Sequence, residues 1–381
     1  DLHSFPTRRS SDLPGCIEPL NLFPGLTPES IVSSRRPIEE VRAELVRRNP
    51  DIELDQCEFA SHDGAVLPVA VVRDSRAPAH EAGPLFVHLH GGGLIMGCRF
   101  NGVGTTVSWQ RRYGGVVVSP EYRLAPEHPA PCAVEDCYAA LNWAVEHAAE
   151  LRINPRRVIL VGASAGAGLA AGVLLLARER RGPALLGALL DYPMLDDRTG
   201  LPQWEGSVSA RQYPDDGTWP TAYNNVAWDA ALGRRRGTAQ VAPHEAPARA
   251  ANLGGLPPVF LSVASAEVFR DEVVTFASRV WCDGGQAELH VYSGGTHAME
   301  EVNARWLARD LGRARDSWIE RLLEPEDPCV NVEAVARAGT YPALTKMLLD
   351  SEGCRGEGRA WGQSAARASM RGNLADRKSV V

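Results

Sequence analysis

The stretch Val158-Ile159-Leu160-Val161-Gly162-Ala163-Ser164-Ala165-Gly166-Ala167-Gly168-Leu169-Ala170 decides the fold. Its four leading apolar residues read as a buried strand, and the Ala/Leu-rich run from Ala165 reads as a helix. Ser164 therefore stands on the turn between them. A side chain at 162 or 166 would collide with the neighbouring strand or helix, so the turn needs glycine at both places. Such a turn strains the serine backbone and sets its hydroxyl at the positive end of the new helix, where developing negative charge is stabilised. In a chain with 36 glycines a lone G-x-S-x-G is a modest signal, and the neighbouring sequence has to carry it.

Upstream, the apolar run Pro84-Leu85-Phe86-Val87-His88-Leu89 closes on His90-Gly91-Gly92-Gly93. Three consecutive glycines leave backbone N–H groups uncovered, so a carbonyl oxygen can approach them closely. Alone, such a run reads as a flexible loop. After a buried strand and ahead of G-x-S-x-G it reads as half of an oxyanion hole, with Gly92 and Gly93 donating from the loop and Ala165 from the turn.

With both motifs in place, the chain resembles the hormone-sensitive-lipase-like branch of the α/β-hydrolases, which includes many microbial carboxylesterases. Ser119-Pro120-Glu121-Tyr122-Arg123-Leu124-Ala125-Pro126-Glu127-His128-Pro129 is similar to that branch's segment after the fourth strand. Asp191-Tyr192-Pro193-Met194-Leu195-Asp196 resembles its segment after the sixth, and Gly294-Gly295-Thr296-His297 its histidine loop. The resemblance runs from roughly Val66 to Leu323. It implies a serine carboxylic-ester hydrolase (esterase or lipase) with neither metal nor cofactor, acting on short- to medium-chain esters.

The base is expected at His297, which follows the alternating run Ala287-Glu288-Leu289-His290-Val291-Tyr292 and precedes a helical stretch. His88 and His290 fall inside strands, and the hydrolase triad runs Ser, acid, His along the chain. The acid should follow the strand Pro258-Val259-Phe260-Leu261-Ser262-Val263-Ala264, which leaves Glu267 and Asp271 as candidates. In the family's commoner pattern an aspartate opens this segment, and Glu267 takes that place here. Glutamate is chemically adequate because the acid only orients the imidazole and stabilises its cation. Glu267 is favoured, with Asp271 read as a helix-start carboxylate. Arg123 and Glu127, flanking a proline-rich turn, are read as a charged pair that clamps a loop, and His128 as a surface turn residue.

Strand-helix alternation argues for right-handed crossovers and a mostly parallel sheet covered on both faces. Strands are expected at 52–60 and 65–73, an antiparallel pair around His62-Asp63-Gly64, and near 84–90, 115–120, 156–162, 184–192, 258–265 and 287–292. Helices are expected near 37–48, 101–113, 132–149, 165–181, 270–284 and 299–323. The fold class is thus α/β, an α/β-hydrolase fold with an eight-stranded sheet and a cap. We expect a catalytic domain at 51–323 with a cap insertion at 197–237, an N-terminal cap region at 14–50, and a largely flexible extension at 324–381. In the insertion, Trp204, Trp219, Tyr223 and Trp228 would line an apolar acyl pocket or anchor the insertion to the core. Residues 1–13 and 377–381 resemble translated sequencing-adapter sequence and are expected to be non-native.

At 381 residues and 44% apolar content the chain can bury one large core. A net charge of -7, with no basic stripe bearing aromatics, gives no reason to expect nucleic acid. Val158 to Ala177 is uncharged and long enough to cross a bilayer, but its glycines and central serine fit a buried strand plus buried helix, so no membrane span is expected. Eight scattered cysteines with no C-x-x-C pair read as reduced thiols, and with no secretory signal the expected location is cytoplasmic. An edge strand at 287–292 followed by an amphipathic helix points to a possible homodimer.

Two rival functions are weighed. Gly162, Gly166 and Gly168 after a strand imitate the phosphate turn of short-chain dehydrogenases, but those NAD(P) enzymes need a Tyr-x-x-x-Lys pair, and the two lysines here, Lys346 and Lys378, do not supply it. A non-catalytic binder on the same fold, as in the plant gibberellin receptors, lacks the histidine that His297 provides.

Overall fold

The computed structural model describes residues 25–78, 82–302 and 305–324. The described residues all belong to one unit of the chain, 1–324, and residues 325–381 lie outside them. The expected leader at 1–13 and the extension beyond Glu324 therefore fall outside them too.

Eight strands form one sheet: β1 (Ile52–Ala60), β2 (Val66–Asp74), β3 (Gly83–Leu89), β4 (Val116–Pro120), β5 (Ile153–Ala163), β6 (Gly187–Asp191), β7 (Val259–Ala264) and β8 (Ala287–Tyr292). Their order is β1-β2-β4-β3-β5-β6-β7-β8. The first two pairings, β1 with β2 and β2 with β4, are antiparallel, and every other is parallel. The β1–β2 turn closes where expected: Gly64 sits at φ +84°, and the Asp63 carboxylate accepts the Ala65 N–H at 3.1 Å. β5 starts three residues before the expected position 156, because Ile153 pairs with Gly83 beyond a register shift.

Alternation within the strands supplies both faces of the core. Leu85, Val87 and Leu89 point to one side, where α3 (Cys132–Glu146), α5 (Ala165–Glu179) and α8 (Arg270–Cys282) pack. Phe86, Val117, Ile159 and Phe260 point to the other, toward α2 (Val103–Tyr113) and α10 (Arg305–Leu323). α1 (Ile38–Arg48) lays Val41 and Leu45 on that second face. The short α4 (Ala148–Leu151) follows α3. The helix expected over 299–323 is two pieces, α9 (Met299–Val302) and α10.

The uncharged stretch after Val158 becomes β5 and α5. Gly166, Gly168 and Gly172 cost α5 about 1 kcal/mol each relative to alanine. Leu169, Val173, Leu174, Leu175 and Leu176 are buried on it, at about 1.5–3 kcal/mol each, so packing decides in favour of helix. Among the described residues no helix is long and apolar enough to cross a membrane.

The 197–237 insertion carries two helices the sequence reading did not resolve, α6 (Val208–Gln212) and α7 (Thr221–Leu232). Its two ends are fastened together. The buried Asp197 carboxylate takes the Gly237 N–H at 2.7 Å and a fork from Arg249, while the Arg236 guanidinium donates to the Asp197 and Thr199 carbonyls at 2.8 and 3.0 Å.

Arg123 and Glu127 do clamp loops, but not as a pair. Arg123 forks onto Asp136 and reaches Asp63 at 2.7 Å, pinning the segment after β4 to α3 and to the β1–β2 turn. Glu127 instead receives a bidentate fork from Arg35, which also donates to the carbonyls of Ile95 and Ala125. Each of the two charges is taken by a partner brought in by tertiary packing. His128 is exposed.

Candidate active site

The strand order decides where chemistry can occur. β3, β5, β6, β7 and β8 are consecutive neighbours and parallel, so the loops at their carboxyl ends share one rim of the sheet. The glycine loop follows β3, Ser164 follows β5, Asp191 ends β6, Glu267 follows β7 and His297 follows β8.

Ser164 is the residue before α5, at φ 56° and ψ −124°. Its N–H donates to the Asp191 carbonyl at 2.8 Å, and its own carbonyl accepts from Gly168 and Met194. The turn is as tight as the motif implied: a Cβ on Gly166 would fall against the carbonyls of Leu89 and His90. Leu94, Tyr192 and Ala298 join Ser164 with positive φ, so most non-glycine residues in that conformation flank this rim and not the rest of the described fold.

The His297 Nε2 lies 2.9 Å from Ser164 Oγ, and its Nδ1 lies 3.2 Å from Glu267 Oε1. The other Glu267 oxygen accepts the Ala264 N–H at 3.1 Å. All three side chains are buried. Asp271 is elsewhere: its Oδ2 accepts the Ser209 N–H at 2.7 Å in the first turn of α6, and its Oδ1 meets Arg270. The structure thus brings Ser164, His297 and Glu267 together and leaves Asp271 in the first turn of α8, bonded to the insertion.

The glycine loop passes close to the serine, since a Cβ on Gly91 would come within 3.3 Å of Ser164 Cβ. Gly92 at φ +119° leaves no room for a side chain against the Met96 carbonyl. Among the described residues no hydrogen bond uses the N–H of Gly92, Gly93 or Ala165, and Ala165, as the first residue of α5, has no intrahelical acceptor. Behind the loop, Tyr122 stacks on His90 at 4.1 Å and donates its hydroxyl to the His90 carbonyl at 2.7 Å. Burial pushes the His90 and His88 imidazoles down to about 4, so both are neutral supports; His88 bonds Thr106 and the Asn101 carbonyl.

A cavity of about 400 Å³ opens over Ser164 and His297, a volume suited to a small organic ligand. Met96, Trp109 and Trp219 are among its apolar walls. Of the four aromatics expected there, only Trp219 lines it, against Gly93 and 6.4 Å from the His297 ring. Trp228 is buried in the core, Tyr223 packs edge-on behind Trp219, and Trp204 covers the Arg198 guanidinium. Aromatic content alone cannot tell a pocket wall from an anchor, and three of these four are anchors.

The sequence reading missed the charged floor of the cavity. Arg315 from α10 is 4% exposed and pairs with Asp191 and Glu300, while Tyr192 donates its hydroxyl to Glu300 at 2.8 Å and sets its ring edge 4.8 Å from His297. Burial pushes the Asp191 carboxyl up; it acts the same way on Glu300, but there the charge and hydrogen bond of Arg315, a backbone N–H and the Tyr192 hydroxyl together leave the carboxyl below its ordinary value. A signal was available: Arg315 interrupts the buried stripe Leu307, Leu311, Trp318, Ile319 of α10, where an apolar residue belongs. Among the described residues no three His, Cys, Asp or Glu side chains are gathered as a metal ion would require.

Comparison with known proteins agrees with this geometry. A family model described as alpha/beta hydrolase fold matches residues 86–301. The chain is 31% identical to Esterase LipI of Mycobacterium tuberculosis over 66% of this chain and 78% of that protein. It is 34% identical to Carboxylesterase NlhH of the same species, over 63% and 73%. Among solved structures, a bacterial heroin esterase superposes with a TM-score of 0.73 at 30% identity, covering 80% of this chain and 96% of that one. The glycine turn lies on the central β5 of a hydrolase sheet and not on the first strand of a dinucleotide fold, which removes the dehydrogenase reading. The chain belongs to the hormone-sensitive-lipase-like α/β-hydrolase family and is a carboxylic ester hydrolase.

Proposed function

We propose that Ser164 is the nucleophile, His297 the general base and Glu267 the acid that orients it. Ser164 Oγ attacks the ester carbonyl while His297 Nε2 takes its proton, then returns it to the departing alcohol; water releases the acyl group by the reverse route. The N–H groups of Gly92, Gly93 and Ala165 receive the oxyanion. The observation that carries this reading is the 2.9 Å approach of His297 to Ser164 at the floor of a substrate-sized cavity.

A cavity of about 400 Å³ supports short- to medium-chain acyl groups over long ones. A panel of p-nitrophenyl esters from acetate to palmitate tests this, with activity expected to peak at or below the medium chains. A fluorophosphonate probe should label the wild-type protein and not Ser164→Ala, whose kcat should fall on the order of 10⁶-fold. Labelling of the variant at another serine, with activity retained, would overturn the assignment. We also propose a homodimer through the outer edge of β8, where Val291 and the neighbouring Trp281 are about half exposed; light scattering showing a monomer at all concentrations would refute it.

A further inference from the structure

We infer that Arg315 is a positioning residue that fixes the spacing of Ser164 and His297 by tying together, from behind, the two loops that carry them. The inference rests on the mechanism proposed above.

From α10 the guanidinium reaches Asp191 through Nε at 3.0 Å and Nη2 at 2.8 Å, and Glu300 through Nη2 at 2.7 Å. Each carboxylate belongs to a different loop. Asp191 is joined to the nucleophile, because its backbone carbonyl holds the Ser164 N–H at 2.8 Å, and Ser262 Oγ steadies its side chain at 2.6 Å. Glu300 lies three residues past His297 in the chain. Tyr192 closes the ring, with its hydroxyl on Glu300 and its edge on the imidazole.

An ion pair serving only to bury Asp191 would need Arg315 and no second carboxylate. Two carboxylates on one guanidinium leave excess negative charge in a buried place, which costs stability that an apolar residue at position 300 would avoid. What the second carboxylate adds is a connection between Ser164 and His297 independent of the bond they share. Both loops hold residues at positive φ, Ser164, Tyr192 and Ala298, which persist only where surrounding contacts over-determine them. A planar fork suits this bridge, and a point-charged ammonium does not.

The test is kinetic. Glu300→Ala cuts the tie on the histidine side and leaves the Arg315–Asp191 pair intact. We expect kcat on p-nitrophenyl butyrate to fall about 10- to 100-fold, the scale of a displacement of about 1 Å, with KM within about threefold and an equal drop in the rate of fluorophosphonate labelling. Glu300→Gln retains an oxygen for Arg315 and Tyr192 and should stay within about threefold of wild type, whereas Arg315→Lys should lose as much as Glu300→Ala. A folded Glu300→Ala with unchanged kcat, a loss confined to KM, or a Gln variant as slow as the Ala variant overturns the inference. Should Glu300→Ala not fold, Tyr192→Phe decides, since it removes only one hydroxyl: a drop of at least about threefold in kcat supports the tie, and no drop refutes it. Wild-type protein that neither hydrolyses esters nor labels at Ser164 would bring down the mechanism itself, an outcome distinct from an active enzyme indifferent to position 300.

Discussion

Glu267→Gln is the sharpest test of the acid, because the structure dictates how the amide must sit. In the proposed mechanism Glu267 acts as a carboxylate that can only accept, so His297 Nδ1 is the donor to it and Nε2 is left to take the proton of Ser164. Glutamine has one oxygen and one NH₂, and the buried Ala264 N–H at 3.1 Å demands the oxygen. The NH₂ is then aimed at Nδ1, which must accept, and the ring proton moves to Nε2 opposite the serine hydroxyl. The variant is therefore held in the tautomer that cannot act as base, and it also loses the charge that stabilises the imidazolium. Together these should lower kcat by roughly 10⁴, or about 5 kcal/mol of activation free energy, with little effect on folding since every buried partner keeps a hydrogen bond. Asp271→Asn is the control: one oxygen can still accept from Ser209, so we expect a loss of about 1 kcal/mol in stability at α6 and kcat within about threefold. The assay is kcat for both variants on one short-chain p-nitrophenyl ester, with thermal melts. A near-wild-type Glu267→Gln beside a dead but folded Asp271→Asn would refute the reasoning and move the acid to α8.

Gly92→Val should displace the glycine loop from the Met96 carbonyl and cost about 10²–10³ in kcat, while a change in KM alone would mean that the loop only shapes the pocket. His88 and His90 titrate near 4 in the fold against about 6.5 when unfolded, so the unfolded chain takes up protons first and stability falls as pH drops from about 6.5 to 4, by up to about 3 kcal/mol for each. Urea midpoints across that range should decline less steeply for His88→Gln than for wild type; parallel curves would show that His88 is not part of the loss. Trp219→Ala opens the wall beside Gly93 and should raise the preference for octanoate over butyrate about five- to tenfold in kcat/KM, a shift that an anchoring role alone would not produce.

What was legible in the sequence was whatever local chemistry forces. The turn at Ser164 needs glycines because backbone from another strand passes within contact, and that need is written in five residues. The eight strands were legible because each is an apolar run bounded by turn residues, and His297 because the chain order left one histidine on a loop after the last strand. Contacts between distant segments were not legible. Arg123 finds Asp136 and Asp63, and Glu127 finds Arg35, on elements whose approach no local pattern encodes. The same holds for Trp228, whose burial depends on what α7 packs against. Arg315 is an intermediate case: its place on an apolar stripe marks it as buried, but only the fold reveals that its partners lie on the loops next to Ser164 and His297.

The fastening at Asp197, Arg236 and Arg249 bears on how such an enzyme can change its substrate. Because the chain enters and leaves the insertion through one knot of buried hydrogen bonds, the ends stay fixed however the intervening residues are arranged. Lengthening a loop whose ends are already held adds only about 0.6 kcal/mol per doubling, so the exposed turns between Thr199 and Arg236, outside the core-packed α7, can be extended with little strain transmitted to β6 and β7. Trp219 sits in that clasped segment, whereas Ser164, Glu267 and His297 are all rooted outside it. A pocket wall can therefore be altered between the two clasped ends while the three residues proposed to react keep their places.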